Sequence, residues 1–175
     1  ALSEPQKEIC DSDARFRVAV TGRRFGKTHV AMRELARFAS NKDMSLVWYV
    51  APSYRMAKGI VWDQLKGKLK DLRWVEATNE AELTMRLKNG SKIGLKGADS
   101  PDSLRGVGLD FLVMDEFQDT DSRAWSEILR PTLSDKDGHA LFLGTPRGVG
   151  SWSHEMYMNA KTNNGWDSFT YTTVD

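Results

Sequence analysis

The stretch Thr21-Gly22-Arg23-Arg24-Phe25-Gly26-Lys27-Thr28 narrows the choice of folds more than any other part of the chain. Ahead of it lies Phe16-Arg17-Val18-Ala19-Val20, an apolar, β-branched run long enough for a buried strand. Behind it, Val30, Ala31, Leu35, Phe38 and Ala39 recur at the spacing of one helix face. A strand, a tight turn and a helix opening on Gly-Lys-Thr is the setting that a phosphate-binding loop requires. Backbone N–H groups in the first turn of a helix lack partners within it, and the helix dipole adds positive potential there, so an anion settles at that end. In that reading Lys27 reaches the β- and γ-phosphates and the Thr28 hydroxyl ligates Mg²⁺. The usual pattern, G-x-x-x-x-G-K-[ST], departs at its first position, which holds Thr21, with Gly22 one place late. An ordinary strand–helix turn with a solvated lysine is the competing reading of the loop alone.

Val113-Met114-Asp115-Glu116 decides against that competitor. An apolar run ending in two acids places both carboxylates at the C-terminal edge of a sheet, where ligands bind in open α/β folds. Asp115 would hold Mg²⁺ together with Thr28, and Glu116 is suited to orient and deprotonate an attacking water. The expected arrangement is a triphosphate gripped where two neighbouring strands finish, with Lys27 on one side and the acids on the other. Charge that shifts onto the γ-phosphate during hydrolysis needs a cation. The candidates are Arg23 and Arg24 in the loop and Arg105 in Ser103-Leu104-Arg105-Gly106. Leu143-Gly144-Thr145-Pro146-Arg147-Gly148 is a third strand-end loop, whose hydroxyl is placed to sense the γ-phosphate. Asp119 and Asp121 read as acids at a helix N-terminus rather than metal ligands.

The rest of the chain supplies the frame. Residues 1–14 read as polar and irregular. Strands are expected at 46–51, 74–77, 111–114, 140–143 and 168–174, and helices at 29–40, 54–71 (capped by Ser53), 122–129 (stopping before Pro131) and 152–161. Leu83, Met85 and Leu87 alternate, Asn89-Gly90 turns, and Ile93 and Leu95 alternate on the return, which predicts an inserted β-hairpin near 81–96. Strands separated by helices of this length imply a mostly parallel α/β sheet. With 175 residues the chain forms one domain. Its net charge of +1 argues neither for nor against nucleic acid, and the cluster Lys66-Gly67-Lys68-Leu69-Lys70 reads first as the wet face of a helix. No apolar run approaches the ~20 residues of a membrane span. The single Cys10 allows no internal disulfide, which fits a reducing cytoplasm. The sequence stops within strand-like residues and reads as a piece of a longer protein.

The ordered set Pro5-Gln6, 22–28, Ala51-Pro52-Ser53-Tyr54, Ser103-Leu104-Arg105-Gly106, 113–116 and 144–148 resembles the ATPase domain of the large terminase subunit of tailed bacteriophages. That resemblance implies a RecA-like P-loop NTPase of the additional-strand (ASCE) type, using ATP and Mg²⁺. It gives residues 1–14 the place of an adenine-side arm, with Gln6 on the adenine edge. Gly22, Arg23, Arg24, Phe25, Gly26, Lys27 and Thr28 would surround the phosphates, and Asp115 would support the metal. Glu116 would be the catalytic base and Thr145 part of the coupling motif. Arg24 would touch the γ-phosphate in the same subunit, and Arg105 would reach a neighbour's ATP. The implied partners are double-stranded DNA, copies of the chain in a ring on a portal, and the small terminase subunit, within the host cell cytoplasm. Members carry a separate C-terminal nuclease domain, toward which 166–175 would lead, and no cleavage is expected of the present residues. Two alternatives stand beside this. Asp115-Glu116-Phe117-Gln118-Asp119 also resembles the Asp-Glu-x-Gln-Asp motif of superfamily 1 helicases, and a non-hydrolysing nucleotide-gated module is the third reading.

Overall fold

The computed structural model describes residues 2–147 and 151–171. Its eight strands form one sheet: β1 (Phe16–Thr21), β2 (Leu46–Ala51), β3 (Val75–Asn79), β4 (Thr84–Leu87), β5 (Lys92–Gly97), β6 (Phe111–Asp115), β7 (His139–Gly144) and β8 (Trp166–Tyr171). Their order is β3-β4-β5-β2-β6-β7-β1-β8, and every described strand except β4 runs in the same sense. The hairpin expected near 81–96 is present as β4 and β5. Its returning strand joins the main sheet in parallel register with β2, Leu46 opposite Lys92 through Ala51 opposite Gly97, so the hairpin extends the sheet. The end of the strand expected at 168–174 lies outside the described residues, as does Gly148.

Side chains alternate across a strand, so a strand covered on both faces reads as an unbroken apolar run. Val47, Tyr49, Phe111, Val113 and Leu141 face one core layer, with Val30, Leu35, Val61 and Leu65. Trp48, Val50, Leu112, Met114 and Phe142 face the other, against Trp125, Ile128 and Leu129. The first layer is closed by α1 (Glu4–Asp11), α2 (Lys27–Asn41) and a long helix α3 (54–71). The second is closed by α4 (124–132) and α5 (Trp152–Ala160).

Three helical expectations are corrected. The stretch read as irregular holds a helix at residues 4–11, because α1 is nucleated by a capping box. The Ser3 hydroxyl accepts the Gln6 N–H, and the Gln6 side chain accepts the Ser3 N–H at 3.0 Å. Ser53 caps α3 as expected, but a π turn at Lys58–Trp62 interrupts the α-helical ladder. The third helix does not stop before Pro131 and continues to Thr132. Proline excludes a normal turn by clashing with the carbonyl four residues back. Here the preceding turn is π, with the Arg130 N–H donating to the Trp125 carbonyl, and the wider turn admits the ring.

Arg17, the second residue of β1, points into the first layer. It is 1% exposed, and donates to the Ile9 carbonyl at 2.8 Å and to the Glu34 carboxylate. Arg37 closes the other side of Glu34 with bonds of 2.7 and 2.8 Å. Burial pushes the Glu34 carboxyl up, but the hydrogen bonds from Arg37 and the charge of Arg17 outweigh it, and the net shift is downward. The stability this group contributes is therefore full above its ordinary value of 4.5, and is lost as pH falls from there through the lowered folded value. Breaking a buried pair leaves an uncompensated charge. Glu34→Gln is expected to lower unfolding free energy at pH 7 by about 3–5 kcal/mol in urea titration. The gap from wild type should narrow as pH falls below that ordinary value; a gap that is flat with pH would show that Glu34 is not ionised in the folded chain.

Candidate active site

Three strands that are adjacent in the sheet, β6, β7 and β1, end side by side. The loops leaving them, together with Ile60 from the π turn of α3, enclose a cavity of about 580 Å³. It is lined by Gly22, Arg23, Gly26, Lys27 and Thr28 from the first loop, Asp115, Glu116, Gln118 and Asp119 from the second, and Thr145, Pro146 and Arg147 from the third. The sequence pattern places the lysine and acidic loops on neighbouring strands. The structure corrects this, since β7 lies between β1 and β6. Order along the chain does not fix order across a sheet, and a strand late in sequence has been inserted.

The phosphate loop is built without the first glycine. Thr21 is buried as the last residue of β1, and the next N–H, of Gly22, donates to the Tyr171 carbonyl at 3.1 Å as β1 and β8 finish. Gly26 precedes α2 with φ +86°, a left-handed conformation that glycine adopts without strain. Gln6 packs over it: the Gln6 Nε2 donates to the Phe25 carbonyl at 2.6 Å and occupies the space that a Cβ on Gly26 would need. Phe25 stacks on Tyr171 with ring centroids 5.2 Å apart. Gln6, expected on the adenine edge, is thus also a strut between α1 and the loop.

Lys27 is only 8% exposed, and its Nζ stands 3.8 Å from Glu116 Oε1. Asp115 shares a sheet face with Val113, which pairs in register with Tyr49 on β2. The Tyr49 hydroxyl donates to Asp115 Oδ2 at 2.5 Å, and the Glu116 N–H donates to Oδ1 at 2.9 Å. Burial pushes the Asp115 carboxyl up to about 6, and the neighbouring Glu116 charge adds to this; the Tyr49 bond and Lys27 oppose it. Burial and the same two carboxylates keep the Tyr49 phenol protonated. Glu116 has left-handed backbone angles, φ 48° and ψ 42°, which turn its side chain from the strand direction toward the cavity. Its Oε2 accepts from Gln118 Nε2 at 2.6 Å. Sequence alone singles out neither Tyr49 nor Gln118. Tyr49 reads only as one more apolar strand residue, whereas Gln118 stands inside the helicase-like run. The residues fit Mg²⁺: Thr28 and Asp115 offer hard oxygen donors in one cavity, and Mg²⁺ characteristically takes few protein oxygens and completes its shell with water and phosphate.

The remaining candidates divide. Arg23 lines the cavity, but Arg24, expected at the γ-phosphate, is exposed and is not in the lining, because successive loop residues point to different sides. Arg105 is away from this cavity, in a separate cleft with Glu127, Ile128 and Pro131. It is 59% exposed and pairs loosely with Asp102 at 3.6 Å. Asp119 pairs with Arg147, and Asp121 with Arg123.

A lysine-bearing loop and an acidic strand separated by one inserted parallel strand define a P-loop NTPase fold of the additional-strand type. Residues 18–175 match the family described as terminase large subunit, T4likevirus-type, N-terminal. The chain belongs to that family. It is 33% identical over 172 residues to the large terminase subunit of Thermus phage G20c, covering 87% of this chain and 35% of that protein. It is 36% identical over 150 residues to that of Escherichia phage T5, covering 84% and 34%. The chain thus spans about a third of the length of these relatives. Among solved structures it is similar to the Thermus phage P74-26 large terminase ATPase domain. There the TM-score is 0.85 and the identity 29%, over 97% of this chain and 80% of the other. The fold is also shared with the large terminase of a thermophilic bacteriophage in complex with ADP, at TM-score 0.84 and 17% identity, covering 98% of this chain and 46% of that one. The family match sets aside the helicase reading of residues 115–119.

Gly26→Ala tests the loop geometry. A left-handed alanine costs roughly 1–2 kcal/mol before the contact with Gln6 is counted. Gly67→Ala, in an exposed helical position with nothing within 4 Å, should instead stabilise by roughly 0.5–1 kcal/mol. Equal thermal shifts in the two variants would contradict the loop conformation.

Proposed function

We propose that this chain binds and hydrolyses ATP, and that the hydrolysis drives movement of double-stranded DNA into a procapsid, as the ATPase domain of a large terminase. The observation that carries this is the meeting of Lys27, Thr28, Asp115 and Glu116 on one cavity across the end of β7. The triphosphate lies on the N-terminus of α2, where free backbone N–H groups and Lys27 receive the β- and γ-phosphates. Thr28 and Asp115 would hold Mg²⁺, which would supply neutralising charge to the phosphate oxygens. Glu116 orients the attacking water and takes its proton. Arg23 supplies positive charge from the cavity wall and Arg24 from the exposed side of the loop. Gln6 retains one N–H and one lone pair for the adenine edge. Its present bond to the Phe25 carbonyl links the base end of the nucleotide to the phosphate loop.

Arg105 cannot serve the chain's own cavity from its present place, and its exposure suits a contact across a subunit boundary. We assign it to a neighbour's γ-phosphate in a ring seated on a portal, with the small terminase subunit as a further partner and the host cytoplasm as the location. No helix among the described residues is long and apolar enough to cross a membrane.

Two outcomes test the proposal. Glu116→Gln should bind fluorescent ATP within about twofold of wild type and lose turnover by roughly 10²–10⁴-fold, the usual weight of a general base; unchanged turnover removes Glu116 from the chemistry. Specific activity should rise with protein concentration, and Arg105→Ala should abolish that rise, since a finger in trans supplies about 10³–10⁵ in rate. A specific activity independent of concentration, with Arg105→Ala harmless, would overturn the trans assignment.

A further inference from the structure

Gln118, on the loop that carries the base, reaches the loop that carries the coupling motif, and both ends of its amide are hydrogen-bonded. One Nε2 hydrogen is donated to Glu116 Oε2 at 2.6 Å and the other to Thr145 Oγ1 at 2.9 Å, with a longer contact of 3.4 Å to Asp119 Oδ2. Its Oε1 accepts the Thr145 N–H at 3.3 Å. The opposite amide orientation would set an oxygen against the carboxylate and a nitrogen against an N–H, so these partners fix the assignment. The backbone is shaped around the contact. A Cβ on Gly144 would stand 2.6 Å from Gln118 Oε1 and 2.8 Å from the Phe117 ring, so only glycine lets the amide cross the end of β7. Phe117 is wholly buried against Phe142 and Trp152, which holds the turn carrying Gln118 at a fixed height.

Without Gln118, nothing but a 3.5 Å contact between Thr145 Oγ1 and Glu116 Oε2 joins the base to the third loop among the described residues. Glu116 is also the one cavity residue held in a left-handed conformation without being glycine, a strained backbone that persists only where surrounding contacts hold it. We propose that Gln118 is a positioning residue: it aligns Glu116 on the attacking water by tethering its carboxylate to Thr145, so that movement of the Thr145 loop moves the base. It does not touch the nucleotide in this role. The inference rests on Glu116 being the base of an ATPase, as proposed above.

The test compares Gln118→Met, which preserves length and apolar bulk but removes every hydrogen bond of the amide, with wild type, Thr145→Val and the double variant. Each is assayed for steady-state turnover and for fluorescent-ATP binding, under conditions where wild type turns over. A base misplaced by about an ångström loses roughly 10²-fold in rate. Gln118→Met is therefore expected to lower kcat by about 10–100-fold, leaving KM and nucleotide Kd within about twofold. Thr145→Val should then cost no more than about twofold further in the Gln118→Met background. Unchanged or raised kcat, a parallel rise in Kd, or independent multiplication of the two losses would each overturn the tether. Finding no protein concentration at which wild type turns over would instead overturn the ATPase reading, which keeps the two failures distinct.

Discussion

A nearly buried lysine and two acids face each other across the end of a strand that contributes neither. Charged groups taken out of water cost several kcal/mol each unless they are paired or hydrogen-bonded. The surrounding structure shows that cost being met locally. Asp115 receives the Tyr49 hydroxyl and the Glu116 N–H, Glu116 receives Gln118, and Lys27 stands within 4 Å of Glu116. None of these side chains can be reached from one segment. They meet because β6, β7 and β1 run parallel and end at the same edge. The parallel sheet is therefore the condition for the site, and its two apolar layers are the condition for the sheet.

The same economy extends behind the site. Arg17 and Glu34 join β1 to α2 under the phosphate loop, and Arg17 also reaches the Ile9 carbonyl of α1. Gln6, one turn earlier in α1, bonds the loop itself. The first helix is thus fastened to both ends of the strand that presents the loop. A rigid mount matters because the N–H groups at the start of α2 act on a phosphate only if they are aimed before it arrives.

Much of this is legible in the residues. Unbroken apolar runs announce the buried strands, Asn89-Gly90 announces the hairpin, and Gly-Lys-Thr after a strand announces the phosphate loop. What is not legible has physical causes. The position of β7 between β1 and β6 is a long-range choice that no local pattern encodes. The helix through Pro131 exists because a π turn removes the clash that proline normally brings. Residues 4–11 look irregular from their polarity although Ser3 and Gln6 have the spacing of a capping box, so there the signal is present and outweighed. Arg17 and Tyr49 carry polar atoms inside apolar runs, and only their partners across the fold show why that is tolerated.

Among the described residues an inner and an outer joint link the loops after β6 and β7, and they differ in weight. Asp119 and Arg147 form an ion pair whose side chains are 40% and 54% exposed, and such pairs contribute about 0–1 kcal/mol. Gln118 crosses to Thr145 with two neutral hydrogen bonds, each worth about 0.5–1.5 kcal/mol, and within its own loop it also holds the Glu116 carboxylate. The inner joint therefore governs how the loops move together, while the outer one can break and re-form in solvent. Under the proposed function, a site that converts loss of a phosphate into motion needs a stiff link at the reacting atoms and a soft one further out. In this cavity the stiff link is a neutral amide, which can hold the Glu116 carboxylate without neutralising its charge.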